Sequence, residues 1–235
     1  EARKRAGERS AVAPPSTPDR QEGGRKKWPM DASSAPAPSF PPMPRTVCTL
    51  MPSVCDGTDA NTAILLNNMR LTGTLPTELG LLADHLTVVA ITGNALSGTI
   101  PTQWGALTKV TDIVLHNNSL SGTLPAEFRT SSVIQRYSVE TNRLSGTLPP
   151  AWANASIEKL YVGNNLMSGT LPWQWRDMRK FDTLLLHDSA VPRHNGNPIS
   201  GTLPASYGAV RTLETLMIGG WGCEISGTLP GTLGR

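Results

Sequence analysis

Apolar residues alternate with polar or small residues over short stretches that return along the chain at a nearly constant spacing. In four successive stretches, two apolar residues two positions apart are followed by an Asn and then by a further apolar residue. The pairs are Val89 and Ile91, Ile113 and Leu115, Tyr137 and Val139, and Leu160 and Val162. Alternation with a period of two predicts a short strand with one buried face. We therefore predict a series of short strands whose inward sides contribute to one core.

A hexapeptide follows each stretch and returns seven times, at 71–76, 96–101, 120–125, 144–149, 167–172, 199–204 and 225–230. Its form is LSGTLP with small variations, and successive copies start 25, 24, 24, 23, 32 and 26 residues apart. A period of about 20–29 residues is that of a leucine-rich repeat. Stacked coils of this kind bury a continuous core that no single coil forms alone. The sequence predicts a leucine-rich-repeat solenoid.

The predicted solenoid is of the α/β class, with about seven repeats. We expect mostly short parallel strands on a concave face, with irregular or short helical segments on the convex side. The repeats occupy 64–235, and the last repeat is expected to be truncated. An N-terminal cap that holds Cys48 and Cys55 is predicted for 45–63, and a disordered tail for 1–44.

An Asn recurs where five of the seven predicted strands end and the chain turns, whereas Met69 occupies this slot in the first repeat. Its side-chain amide can donate and accept hydrogen bonds with buried backbone groups of its own coil and the adjacent one. We expect a structural ladder of Asn94, Asn118, Asn142, Asn165 and Asn197. In the last repeat Cys223 occupies this slot.

One large residue stands three places after the Pro of each hexapeptide. These residues are Leu79, Trp104, Phe128, Trp152, Trp175, Tyr207 and Leu233. Rings of this size dominate core packing when buried, so we interpret the slot as convex-side core and not as a carbohydrate platform. The hexapeptide itself is expected to form a buried corner, and therefore not a binding site.

The tail differs in composition from the repeats. Residues 1–30 carry eight Lys and Arg against four acids, and 31–44 are rich in Pro, Ala and Ser. A basic arm can contact nucleic acid or an anionic membrane, but low complexity favours a solvated linker, so no nucleic-acid partner is expected. The tail lacks the apolar region of a signal peptide. The chain starts at Glu1 and ends inside a repeat, which suggests a fragment, and membrane association is expected only through segments outside it.

The 24-residue unit LxxLxxLxLxxNxLSGxIP resembles the plant-type class of leucine-rich repeats, found in receptor ectodomains and secreted inhibitors of cell-wall-degrading enzymes. Repeated LSGTLP followed by Trp, as in 98–104, 146–152 and 169–175, is similar to the leucine-rich-repeat surface antigens and proteophosphoglycans of kinetoplastid parasites. The segment 48–57 is similar to the C-x-W-x-G-V-x-C segment that caps such proteins, although the Trp is missing. The resemblance implies a secreted or membrane-anchored cell-surface protein that acts in adhesion or host contact.

Cys48 and Cys55 flank this expected cap, where a disulfide would seal the open end of the core. We favour a Cys48–Cys55 disulfide over free thiols, on condition of an oxidising compartment. Asn117 and Asn154 both stand in N-glycosylation sequons. A glycan on Asn117 would obstruct the concave edge, so Asn154 is the preferred acceptor.

The outward strand positions predict where a partner binds. A first column, Leu65, Ala90, Val114, Ser138, Tyr161, Leu185 and Met217, is mainly apolar. A second column is mainly polar: Asn67, Thr92, His116, Glu140, Gly163, His187 and Gly219. An apolar stripe favours an interaction surface, and ordinary β-propensity explains it equally well. The predicted partner-binding residues are Leu65, Val114, His116, Ser138, Glu140, Tyr161, Leu185, His187 and Met217.

The long step between repeats holds an insertion at 187–198 with His187, Asp188, Arg193 and His194. Insertions in solenoids form rim loops that often bind partners. We interpret this one as a solvated loop and not as a metal or catalytic site. Nucleophile-elbow, zinc-protease, phosphate-loop and dinucleotide motifs are absent from the sequence. We therefore expect no enzymatic activity, no metal and no cofactor.

The leading hypothesis is a recognition or adhesion module, extracellular or at a cell surface, that binds a protein or glycan partner on its concave face. Three alternatives remain. A receptor-kinase ectodomain predicts a transmembrane helix and a kinase downstream. A structural surface-coat protein predicts long Ser, Thr and Pro tracts after the repeats. An intracellular scaffold predicts that Cys48 and Cys55 are reduced.

Overall fold

Short strands dominate the protein. The computed structural model describes residues 45–130, 134–187, 196–220 and 222–231. The predicted tail at 1–44, positions 188–195 of the insertion and Leu233 lie outside these residues. Within them, fourteen strands, β1 to β14 in chain order, alternate between two sides of the coils.

Seven strands, one for each coil, form a single parallel sheet in the order β1-β3-β5-β7-β9-β11-β13. They are Ala63–Leu65, Val88–Ala90, Asp112–Val114, Arg136–Ser138, Lys159–Tyr161, Thr183–Leu185 and Thr215–Met217. The central residue of each strand points inward, and Ile64, Val89 and Ile113 are fully buried. Period-2 alternation therefore produces the predicted strands, whose inner faces line one continuous core.

The other seven strands start at or close to the hexapeptides and pair laterally between coils. They are β2 (Thr72–Thr74), β4 (Ala95–Ser97), β6 (Ser121–Gly122), β8 (Arg143–Thr147), β10 (Leu166–Ser168), β12 (Ser200–Thr202) and β14 (Glu224–Ser226). They form three small parallel sheets, in the orders β2-β4, β10-β8-β6 and β12-β14. We name the surface of these strands the lateral face.

The expectation of a wholly buried corner is wrong for the middle of the hexapeptide. In the first six copies its two large apolar positions are buried in the core, but Thr99, Thr123 and Thr147 are exposed on the lateral face. The Gly before each Thr has a positive φ, for example 78° at Gly146, where a Cβ would lie 2.8 Å from Thr123 Cγ2. Pairing between coils keeps this backbone extended at the surface, and glycine permits the close approach.

The convex segments are 3-10 helices, η1 to η6. They span Thr77–Leu82, Thr102–Ala106, Ala126–Thr130, Pro150–Asn154, Trp173–Asp177 and Ala205–Ala209. The large residue three places after Pro lies in each helix, and Trp104, Phe128, Trp152 and Trp175 are fully buried. The indole N–H of Trp104, Trp152 and Trp175 donates to a Pro carbonyl of the preceding coil at 2.9 Å. The convex-side aromatic core is present as predicted.

The five ladder asparagines connect neighbouring coils in one repeated pattern. Each side-chain oxygen accepts the backbone N–H of the preceding coil's Leu71, Leu96, Leu120, Leu144 or Met167, at 2.9–3.2 Å. Each Nδ2 donates to a carbonyl of that coil, at 2.7–3.1 Å. Asn142, Asn165 and Asn197 are almost completely buried. The ladder satisfies backbone groups that the turn would otherwise leave unpaired.

Two short helices precede β1, namely α1 (Val47–Leu50) and α2 (Pro52–Asp56). A disulfide joins Cys48 in α1 to Cys55 in α2, which confirms the predicted bridge. Val47 and Val54 are fully buried against the first coil. The helices therefore cover the N-terminal end of the core. In the part of the chain that the structure describes, no helix is long and apolar enough to cross a membrane.

Candidate binding face

The seven-stranded sheet presents its outward side chains in straight columns. Parallel pairing places Leu65 beside Ala90, Ala90 beside Val114, and Val114 beside Ser138. The same register continues through Tyr161 and Leu185 to Met217. The predicted first column is thus one row of adjacent positions. We name the surface formed by the outward columns of this sheet the concave face.

Exposure varies along the first column. Leu65 and Met217, at its two ends, are 59% and 50% exposed. Val114, Tyr161 and Leu185 are half-buried. Ser138, which was expected to contact a partner, is only 4% exposed. Ser138 therefore offers almost no surface, and the apolar stripe is interrupted at the middle coil.

The second column contains Glu140 at its centre. Ser138 Oγ donates to Glu140 Oε2 at 3.5 Å, and this long hydrogen bond is the role that the structure gives Ser138. Burial raises the pKa of Glu140 above its ordinary value, while the Coulombic influence of His116 and the Ser138 hydroxyl oppose that shift. Among the described residues, no Lys, Arg or His forms an ion pair with Glu140.

The polar groups at the N-terminal end of the second column are paired with one another. Asn67 Oδ1 accepts both the backbone N–H of Thr92, at 3.0 Å, and its hydroxyl, at 2.9 Å. Thr92 is buried, with an exposed fraction of 9%. Asn67 and Thr92 therefore satisfy each other, whereas the side chain of His187, further along the column, is exposed.

Two oxygen atoms, one of them on Glu140, lie near Gly163. A Cβ on Gly163 would lie 2.2 Å from the backbone oxygen of His187 and 3.9 Å from Glu140 Oε1. The chain of His187 approaches closely because residue 163 has no side chain. Next to this point, His116, Asn117, Glu140, His187, Leu185 and Met217 line a cavity of about 240 Å³. We name it the Glu140 cavity.

A third outward column, two residues before the first, carries charges that the sequence reasoning missed. It places Asp112, Arg136 and Lys159 on three adjacent strands. Arg136 Nε lies 3.7 Å from Asp112 Oδ1, and the Arg136 side chain is 52% exposed. These residues begin their strands, and the same period-2 count that found the first column would have found them.

The two predicted glycosylation sites lie on different sides of the coils. Asn117 and Asn154, the two sequon asparagines, are both exposed. Asn117 lines the Glu140 cavity, and its Nδ2 lies 3.1 Å from His116 Nδ1. Asn154, in contrast, ends η4 on the convex side. Of His187, Asp188, Arg193 and His194 in the insertion, only His187 is among the described residues. Within the described residues, no group of three or more His, Cys, Asp or Glu side chains is placed to hold a metal ion.

Solved structures provide the comparison for this architecture. The leucine-rich-repeat ectodomain of the Arabidopsis thaliana membrane receptor kinase GASSHO1/SCHENGEN3, in complex with CASPARIAN STRIP INTEGRITY FACTOR 2, is 29% identical over 69% of this chain, with a TM-score of 0.62. The chain is a leucine-rich-repeat solenoid. The Arabidopsis receptor kinase HAESA, solved with the peptide hormone IDA and the co-receptor SERK1, is 26% identical over 68% of the chain, with a TM-score of 0.55. The PEPR1-AtPEP1 structure is 26% identical over 69% of the chain, with a TM-score of 0.60.

The solenoid spans only 18%, 25% and 21% of the length of these three structures, respectively. The likeness therefore concerns a run of repeats and not the whole receptors. No protein-family model matches the chain. No curated protein matches it either.

Proposed function

We propose that this solenoid is a non-enzymatic recognition module that binds an extended protein segment along its concave face. The observation that carries the proposal is the alignment of the half-exposed stripe of Val114, Tyr161 and Leu185 with the Glu140 cavity beside it. An apolar stripe supplies area for burial, and adjacent polar groups fix the orientation of a partner.

A protein partner suits this surface better than a small molecule. The Glu140 cavity, at about 240 Å³, is smaller than the roughly 300–1,000 Å³ of pockets that enclose drug-sized ligands. The sheet that carries the stripe, in contrast, extends across seven strands. A chain lying across the strands can bury many small contacts, as concave solenoid surfaces commonly do. The HAESA structure, which contains a peptide hormone, supports this choice of partner.

For the biological setting, we propose a secreted or cell-surface protein that acts in adhesion or ligand recognition. The Cys48–Cys55 disulfide supports this setting, since disulfides persist in oxidising compartments. The resemblance of the LSGTLP repeats to kinetoplastid surface antigens supports it as well. We propose Asn154 as the glycosylated residue, because it is exposed on the convex side, away from the concave face.

Selection of peptides from a fully randomised display library tests the proposed function. The wild-type chain is expected to enrich a family of related peptides. The triple variant Val114→Ala, Tyr161→Ala, Leu185→Ala should bind these peptides at least about tenfold more weakly, because each truncation removes apolar contact area at the interface.

The matched control is the triple variant Thr99→Ala, Thr123→Ala, Thr147→Ala on the lateral face, where all three threonines are exposed. It should bind as the wild type does, and circular dichroism should show that both variants are folded. Failure to enrich any peptide family, or equal binding by both triple variants, would contradict the proposed function.

A further inference from the structure

The Glu140 cavity has a composition that indicates what it binds. Two oxygen atoms from different coils, the Glu140 Oε1 carboxylate oxygen and the His187 backbone oxygen, lie within 3.9 Å of the position that a Cβ on Gly163 would take. One carries negative charge and both accept hydrogen bonds, so the pair favours a cation with several N–H donors and disfavours an anion.

The carboxylate is available for such a cation. Among the described residues it forms no ion pair, and its hydrogen bond from Ser138 Oγ is long, at 3.5 Å. Of the three strand-initial charges, Arg136 and Asp112 are partnered with each other at 3.7 Å, and Lys159 forms no ion pair with Glu140 among the described residues. Burial of part of Glu140 raises the energy of its ionised form, and a bound cation would recover the lost solvation.

The walls of the cavity restrict the shape of the occupant. Leu185 and Met217 supply apolar surface on one side, while His116 and Asn117 lie on the other. A side chain with an apolar stem and a flat head of several donors fits both kinds of wall. Arginine has this form, and its guanidinium pairs with a carboxylate through two parallel hydrogen bonds, which a lysine ammonium does not reproduce.

We propose that the Glu140 cavity is a specificity pocket for one arginine side chain of the bound protein segment. This inference rests on the proposed function and adds the chemical identity of one anchoring residue. Glu140 provides the charged acceptor and the His187 carbonyl provides a second acceptor, whose approach depends on the missing side chain of Gly163. The stripe of Val114, Tyr161 and Leu185 then holds the neighbouring residues of the segment.

A double-mutant cycle on the selected peptides tests this assignment. Peptides enriched by the wild-type chain should share one arginine at a fixed position, and replacing it by citrulline, its neutral isostere, should weaken binding about ten- to hundredfold. Glu140→Gln should cause the same loss with the arginine peptide. On the Glu140→Gln background, the citrulline exchange should cost almost nothing further, because the two changes remove one interaction.

Glu224→Gln is the matched control, since Glu224 is exposed on the lateral face in β14. It should leave both peptides unaffected, and an unchanged thermal midpoint would show that Glu140→Gln is folded. The assignment is overturned if the selected peptides lack the arginine, or if the Glu140 and citrulline effects are additive. Peptides that need the stripe but not Glu140 would remove the arginine pocket and leave the proposed function intact. If no peptide is enriched, both proposals fail.

Discussion

Some side chains in this protein make the same hydrogen bonds in one coil after another. The ladder asparagines show this most clearly, because each side-chain amide bonds to backbone N–H and carbonyl groups that the turn would otherwise leave without a partner. Their positions were readable from the sequence, since an Asn recurs at one place in the period. The burial of Ser138, whose hydroxyl donates to Glu140 at 3.5 Å, was not readable, because the period-2 pattern places Ser138 on the outward side of its strand.

Replacing Asn142 by Ala tests the ladder. Asn142 accepts the N–H of Leu120 at 2.9 Å and donates to the carbonyls of Leu115 and Val139 at 3.1 and 3.0 Å. The variant leaves the Leu120 N–H buried without that acceptor. We expect the free energy of unfolding to fall by about 1–3 kcal/mol for each buried group left unsatisfied, as measured by urea denaturation.

The control is Asn154→Ala, which changes the same residue type at an exposed position. Exposed substitutions of this kind stay within about 0.5 kcal/mol of the wild type. Equal stability of the two variants would show that the ladder does not hold the coils together.

At the scale of elements, the sequence predicted the strands of the seven-stranded sheet and missed the lateral strands. Each strand of the main sheet carries its own period-2 signal, as Val89 and Ile91 do. The lateral strands are two to five residues long, and each contains or directly precedes a Gly with positive φ, so no local alternation marks them. They arise only because stacking places one hexapeptide directly beside the next, as in the pairing of Leu144 with Gly122.

The 3-10 helices anchor the convex side through their aromatic residues, and Trp152 in η4 shows how. Its ring packs edge-on against Tyr137 at a centroid distance of 5.3 Å and against Phe128 at 6.4 Å. We expect Trp152→Ala to lower the free energy of unfolding by about 3–5 kcal/mol, because it opens a cavity in a fully buried site. Chemical denaturation followed by far-ultraviolet circular dichroism measures this change.

Trp173→Ala is the comparison, because Trp173 starts the next helix, η5, and is 54% exposed. The Arg176 guanidinium lies 5.1 Å from the centroid of its ring. An exposed cation–π contact contributes about 0.5–1 kcal/mol, so the loss should be well below that of Trp152→Ala. If the two losses were alike, the convex slot would not be core.

For the whole molecule, the number and stacking of coils could be predicted from the hexapeptide spacing, and so could the first two columns of the concave face. The chemistry of the Glu140 cavity could not be predicted from the sequence. The Glu140 cavity depends on the missing side chain of Gly163 and on the close approach of the His187 backbone. Contacts between residues of different coils decide such a feature, and a pattern along one strand does not contain them.

The central claim is that partners bind the concave face and not the lateral or convex surface. Site-specific photo-crosslinking within one coil tests it most directly, with benzoylphenylalanine placed singly at Tyr161 on the concave face, Thr170 on the lateral face and Trp173 on the convex side. Tyr161 is half-buried, while Thr170 and Trp173 are exposed, so accessibility alone favours the two controls. We predict that a selected peptide crosslinks mainly at position 161. Crosslinking mainly at position 170 or 173 would contradict the account.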